Sequence, residues 1–164
     1  MTEREVSLFS PPNCGVVELK LSDEEMAYVW DKIEKRDPSK IMDGTTGFGN
    51  IDHSNSLSDP YDWFWLTVVK PMIELYVKHY ETPQEPYYFK HPLRMDHWWV
   101  NFQKPLEFVG QHRHIGAFSF VIWMKIPTNF MEENKHKKTL SPTASGFQFN
   151  YSTLTGEVGH YTYP

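Results

Sequence analysis

The order of its periodicities predicts that this chain is an α+β domain, with helices bracing one side of a double-sheet barrel. Three observations carry that prediction. Helical patterns occupy the first half, strand-like alternation takes over from Leu93 onward, and six Trp, nine Tyr and eleven Phe supply the large apolar areas that a β-rich core or an aromatic-lined pocket uses. A length of 164 residues with 40% apolar content fits one domain, residues 1–164.

The first elements follow from local signals. Residues 5 to 20 read as an extended segment with a turn at Pro11, Pro12, Asn13 and Gly15, then alternation over Val16 to Leu19. A helix should start at Ser22. Ser22 and Glu25 have capping-box spacing, Leu21 and Met26 can form a hydrophobic staple, and Met26, Val29, Trp30 and Ile33 make an apolar stripe that ends before Pro38. Residues 38 to 58 read as a long connection with a short ordered piece at Gly47-Phe48-Gly49-Asn50-Ile51. Asp59 can cap a second helix with Pro60 at its first position. Phe64, Trp65, Val68, Met72, Leu75 and Tyr76 form its buried face, and Pro71 should kink it.

In the second half, Trp98, Val100 and Phe102 should share one strand face, while His97, Trp99, Asn101 and Gln103 share the other and resemble a pocket wall. Phe118 to Ile126 is a nearly continuous apolar run, as expected of a strand covered on both sides. Residues 128 to 145 read as a loop or lid, and Lys135, His136, Lys137 and Lys138 as its solvated tip. Strands are expected at about Gly146 to Leu154 and Glu157 to Tyr163, joined by a turn containing Thr155 and Gly156.

Charge and cysteine usage exclude several classes of function. A net charge of −5 argues against broad phosphate-backbone binding, and so against long nucleic acid as a partner. The lone Cys14 forms no internal disulfide and leaves no Cys-rich zinc site, which suits a reducing compartment. The start lacks the basic-then-apolar pattern of a signal peptide, and no apolar run is long enough to cross a bilayer, so the expectation is a cytoplasmic protein without membrane contact.

The chemistry centres on Gln111-His112-Arg113-His114. In an extended segment residues i and i+2 point to one face, so His112 and His114 can turn both imidazoles toward one point. Imidazole suits iron, copper, zinc and nickel, and a site needs more ligands than two. The bland alternative is a solvated turn carrying two histidines. Of the others, His53, His79, His91 and His136 fall in predicted loops or on helix surfaces, His97 can line the pocket or be a satisfied strand residue, and His160 reads as a strand-surface residue. Asn101 and Gln103 are the candidates for holding an oxoacid or substrate through neutral hydrogen bonds. Trp99 and Trp123 are candidates for pocket wall or core. Ser119 has no nucleophile elbow or ordered base around it.

The run Trp99-Val100-Asn101-Phe102-Gln103, followed by His112, His114, Gly116, Phe118 to Ile122 and then Lys125-Ile126-Pro127, resembles the Fe(II)/2-oxoglutarate-dependent oxygenases found in phages of marine cyanobacteria. The resemblance extends more loosely over most of the chain. It implies a double-stranded β-helix, a jelly-roll or cupin-like barrel of about eight strands, with Fe(II) and 2-oxoglutarate as cofactors, O2 as co-substrate and hydroxylation as the default outcome. A phage origin would place the protein in the host cytoplasm. In that family the ligands come from the start of one strand and from a later strand, followed by a basic residue that grips the oxoacid. Here the resemblance supplies His112 and His114 and leaves the distal histidine and the basic residue unmatched. The expectation is therefore a barrel truncated at the C-terminus.

His114 stands where many such enzymes have Asp or Glu. If both histidines bind, the site is one charge more positive, which favours an anionic chelating ligand such as 2-oxoglutarate; alternatively His112 alone binds. Two other readings stay open. One is a cupin-like three-histidine dioxygenase that uses no oxoacid, and the other a non-catalytic jelly-roll module with a binding or structural role.

Overall fold

The computed structural model describes residues 15–41, 49–80, 92–104, 107–114, 116–135, 138, 145–153 and 155–163. The turn expected at Pro11 to Asn13, Phe48 of the short ordered piece, and His91, His136 and Lys137 lie outside them. The chain groups into two compact units, one spanning Val17–Phe120 and the other joining the residues up to Val16 with those from Val121 onward.

In the first unit, α1 spans Asp23–Glu34 and its start is made locally. The Ser22 hydroxyl accepts from the Glu25 amide at 3.3 Å, and the Glu25 carboxylate accepts from the Ser22 amide at 2.6 Å. Satisfying two orphan donors in this way is worth about 1 kcal/mol. Val29 and Ile33 of the expected stripe are buried, whereas Trp30 is exposed. Residues 16–19, expected to alternate as a strand, join no ladder, and Val16 and Leu19 are exposed.

The second helical segment is more irregular than a kink at Pro71 implies. A single 3₁₀ turn at Pro60–Asp62 leads to a widened π turn at Trp65–Val69, closed by the Lys70 amide on the Trp65 carbonyl, and then to α2, Lys70–His79. Pro71 has no N–H to offer Thr67, and in a regular helix its ring would press on that carbonyl; the wider turn just before it relieves the clash. Asp59 acts as the cap across a longer reach than expected. One carboxylate oxygen accepts from the Phe64 amide at 3.0 Å and from the Tyr28 hydroxyl at 2.6 Å, and the other accepts from the Trp65 amide at 2.8 Å. Burial, then the adjacent Asp59 carboxylate, raises the Tyr28 phenol well above its ordinary range. The intervening Tyr61 and Asp62 take positive φ angles of 67° and 54° to let the chain double back.

Phe64 is the centre of this unit. It is fully buried, stacks on Trp98 at 5.1 Å with planes 7° apart, and meets Tyr28 at 6.4 Å and Phe120 at 6.3 Å. Trp65, Val68 and Val69 are buried beside it. Leu75, expected in the buried face, is exposed, because the π turn shifts the phase of the helix after Val69.

The expected connection 38–58 contains strands. β1 (Gly49–Asn50) pairs antiparallel with β4 (Phe108–Val109), and β2 (His53–Ser56) pairs antiparallel with β3 (Trp99–Phe102). His53 is therefore a strand residue and not a loop one. Asn50 faces Phe108 while His53 faces Phe102, so three steps on one side are matched by six on the other. Glu107 bridges the two sides. Its carboxylate accepts from the Lys104 amide at 2.7 Å and the Asp52 amide at 3.3 Å, and Lys104 pairs with Asp52 at 2.9 Å. Among the described residues each of the three ladders has two strands.

Polar residues of β2 are buried because they are paired. Ser54 donates to Asn101 at 2.8 Å; Asn55 donates to the Pro38 and Lys40 carbonyls at 3.3 and 3.4 Å and accepts from Arg36 at 3.3 Å. Arg36 in turn lies over the Phe102 ring at 4.3 Å.

Phe118 to Ile126 forms no strand among the described residues, and the expectation of a strand covered on both faces is corrected. Its odd and even positions differ: Phe118, Phe120, Ile122 and Met124 are half-buried, while Ser119, Val121, Trp123 and Lys125 are exposed. Apolar composition alone does not supply a ladder partner. In the second unit, residues 128–145, expected as a loop, begin with α3, Phe130–Asn134, capped by the Asn129 side chain on the Glu132 amide at 3.1 Å. β5 (Phe147–Ser152) and β6 (Val158–Tyr163) form the expected hairpin, in full register from Phe147 opposite Tyr163 to Ser152 opposite Val158. Gly156 holds its turn at φ +83°, where a side chain would be strained.

Candidate metal centre

β4 ends at Val109, and the next residue orients the first histidine of the pair. The Gly110 carbonyl lies 2.9 Å from His112 Nδ1. A carbonyl only accepts, so Nδ1 carries the proton and Nε2 keeps its lone pair. That Nε2 stands 3.0 Å from His114 Nε2, with the two rings inclined at 59°. The two imidazoles therefore turn their Nε2 atoms toward each other.

A separation of 3.0 Å serves two states. Without metal, His114 Nε2–H donates to His112 Nε2. With metal–imidazole bonds of about 2.1 Å, two nitrogens at right angles around one ion also lie about 3.0 Å apart. Both side chains belong to exposed residues. Moving between the states requires His114 to shift its proton from Nε2 to Nδ1 and the rings to turn both lone pairs toward the ion. His112 and His114 thus fit as two ligands of one ion. Among the described residues no group of three or more His, Cys, Asp or Glu converges on a point.

The wall behind the pair is Trp99. Its ring stacks on His114 with centroids 5.4 Å apart and planes 20° apart. Burial under this ring, followed by repulsion from His112, lowers the His114 pKa from its ordinary value and favours the neutral, metal-binding form. Trp99 and Asn101 are two residues apart in β3, so the pair stands on the strand face that Asn101 shares. The Asn101 side-chain oxygen accepts from buried Ser54, which fixes its amide plane.

Gln103 lies past the end of β3, and its amide donates to the Glu107 carbonyl just before β4. His97 precedes the strand and pairs with Asp96 at 3.4 Å, both exposed. His160 stands on β6 opposite Asn150, and Trp123 packs against Phe147 and Tyr163; both belong to the other unit. Ser119 is exposed. Sequence reasoning missed Gly110 and Ser54. Gly110 is recognisable in retrospect as the nearest carbonyl before His112, whereas Ser54 carries no local signal, since its partner is 47 residues away.

No helix among the described residues is long and apolar enough to cross a membrane. No family model, curated protein or solved structure matches the chain.

Proposed function

We propose that the chain is a non-haem Fe(II)/2-oxoglutarate-dependent oxygenase of the hydroxylase type, working in the cytoplasm, with His112 and His114 as two ligands of the iron. The observation that carries this reading is the convergence of two imidazole Nε2 atoms to 3.0 Å, with one tautomer set by the Gly110 carbonyl. The resemblance of residues 99–127 to that family adds the choice of iron over other imidazole-seeking metals. The double-stranded β-helix belongs to the same reading.

The bound metal would supply the oxidising chemistry and hold the oxoacid and O2. The chain's own residues bind and orient. His112 presents its lone pair because Gly110 holds its other nitrogen. His114 stays neutral under Trp99, which also excludes water from one side of the pair. Asn101, fixed through Ser54, offers its amide N–H to an oxoacid or substrate oxygen on that face. Gln103 is the second polar candidate, acting through its side-chain oxygen while its amide holds the Glu107 carbonyl. Two neutral ligands leave the iron's charge uncompensated, which favours a dianionic oxoacid.

Anaerobic Fe(II) titration followed by succinate formation from 2-oxoglutarate and O2 tests the proposal. The parent chain should bind iron and form succinate, and His112→Ala should lose both while keeping its helical circular-dichroism signal. O2 consumption that is indifferent to 2-oxoglutarate would assign a three-histidine, cupin-like dioxygenase instead. Equal iron affinity in parent and His112→Ala would remove the pair from the site and leave a non-catalytic module.

A further inference from the structure

We propose that the β5–β6 hairpin is a binding platform for a neutral carbohydrate chain. The register places Phe147, Phe149 and Tyr151 on the same face as Tyr163, Tyr161 and Gly159, while Gln148, Asn150, Ser152, His160 and Thr162 take the other. One face is aromatic along its whole length. From Phe147 to Tyr151 it runs about 14 Å, and Trp123 extends it by packing on Phe147 at 5.8 Å and Tyr163 at 5.1 Å. Phe147, Tyr151, Tyr161 and Trp123 of this row remain exposed, Tyr161 to 54%.

The seating of Tyr151 is specific. A Cβ at Gly159 would stand 2.7 Å from both Cε2 and Cζ of the Tyr151 ring. The ring therefore lies across the glycine, and its outer face is turned to solvent. Neighbouring rings hold each other edge to face, Phe147 on Phe149 at 5.0 Å and Tyr161 on Tyr163 at 5.0 Å, so the row is braced and costs little ordering when a ligand lands.

The chemistry of the face selects the ligand. Residues 145–163 contain no Lys or Arg and one carboxylate, Glu157, so nothing there neutralises a phosphate; this argues against nucleic acid and anionic lipid. Two of the four exposed rings are tyrosines, and the paired hairpin positions on that face hold aromatic residues and Gly159 but no aliphatic side chain, which gives an amphipathic surface rather than a greasy groove. A pyranose presents weakly positive C–H bonds to the negative face of an aromatic ring and hydroxyls to the phenol oxygens. A neutral glycan satisfies both at once.

Calorimetry and Trp fluorescence of the full chain with cellohexaose, maltohexaose and chitohexaose, each up to about 10 mM, test this. At least one should bind with a Kd of about 0.1 to 1 mM. Tyr161→Ala and Tyr161→Leu should each weaken binding at least about tenfold, the leucine variant keeping apolar area while removing the π face; Asn150→Ala on the opposite face should change nothing. Failure of all three sugars to bind overturns the proposal, as does binding that Tyr161→Leu leaves intact. Sedimentation provides the other arm: a dimer abolished by Tyr161→Leu, without sugar binding, would assign the face to a second copy of the chain.

Discussion

Trp99 and His114 stack nearly parallel, 5.4 Å between ring centroids and 20° between planes, although fifteen positions separate them in the chain. The stack ties the histidine loop to β3 and gives the site one dry side. Replacing Trp99 by Ala should weaken metal affinity by about tenfold through loss of this orientation, with His112 still bound to Gly110. Metal titration of Trp99→Ala and Trp99→Phe distinguishes stacking from mere bulk, since phenylalanine should recover most of the affinity.

The same contact has a pH signature. His114 is lowered first by burial and then by His112, so without metal it should titrate below the ordinary histidine value of about 6.5. Nitrogen-edited NMR of the metal-free protein should place its midpoint there, and His112→Ala should move it partway back. The folded state then binds fewer protons than the unfolded one between the two midpoints, so stability rises with pH through that window. The stabilisation should be complete above the unfolded value and decline as pH falls toward the folded one. A His114 midpoint above 6.5 in the metal-free protein would reverse this assignment.

What could be read in advance depends on how far each bond reaches along the chain. The start of α1 was legible because Ser22 and Glu25 close their cap within three residues. The β5–β6 hairpin was legible for the same reason, its turn sitting between two aromatic alternations. β2 was not: His-Ser-Asn-Ser has no apolar alternation, and it becomes a buried strand only through Asn101 and Arg36. The opposite failure is Phe118 to Ile126, whose apolarity signals burial but does not name a partner. At the site, histidine spacing was readable and the stacking of Trp99 on His114 was not, because the two residues lie fifteen positions apart in the chain.

Asp59 should be the most sensitive polar position of the first unit. Its carboxylate accepts from two helix amides and the Tyr28 hydroxyl, and hydrogen bonds to a charged group are worth about 1.5 to 3 kcal/mol each. Asp59→Ala should lose about 3 kcal/mol or more, while Tyr28→Phe, which keeps both amide bonds and the stack on Trp63 at 4.3 Å, should lose about 1 to 2 kcal/mol. Urea unfolding of the two variants checks the order; equal losses would mean that the helix cap contributes nothing.

Gly49 couples packing to the site, and its replacement tests that coupling. A Cβ there would press into the Phe108 carbonyl and stand 2.7 Å from the Val109 Cα, both backbone atoms of β4 that cannot rotate away. Gly49→Ala must therefore push β1 from β4, at a cost of about 1 to 3 kcal/mol. The displacement falls on the strand that leads directly into Gly110, the carbonyl that orients His112. Metal affinity should thus fall along with thermal stability. Gly116→Ala is the matched control, because among the described residues its Cβ meets only the Phe118 carbonyl, at an ordinary 3.4 Å, and it should leave both quantities nearly unchanged. A Gly49→Ala protein that melts lower yet binds metal as tightly as the parent would show that β4 does not set the orientation of His112.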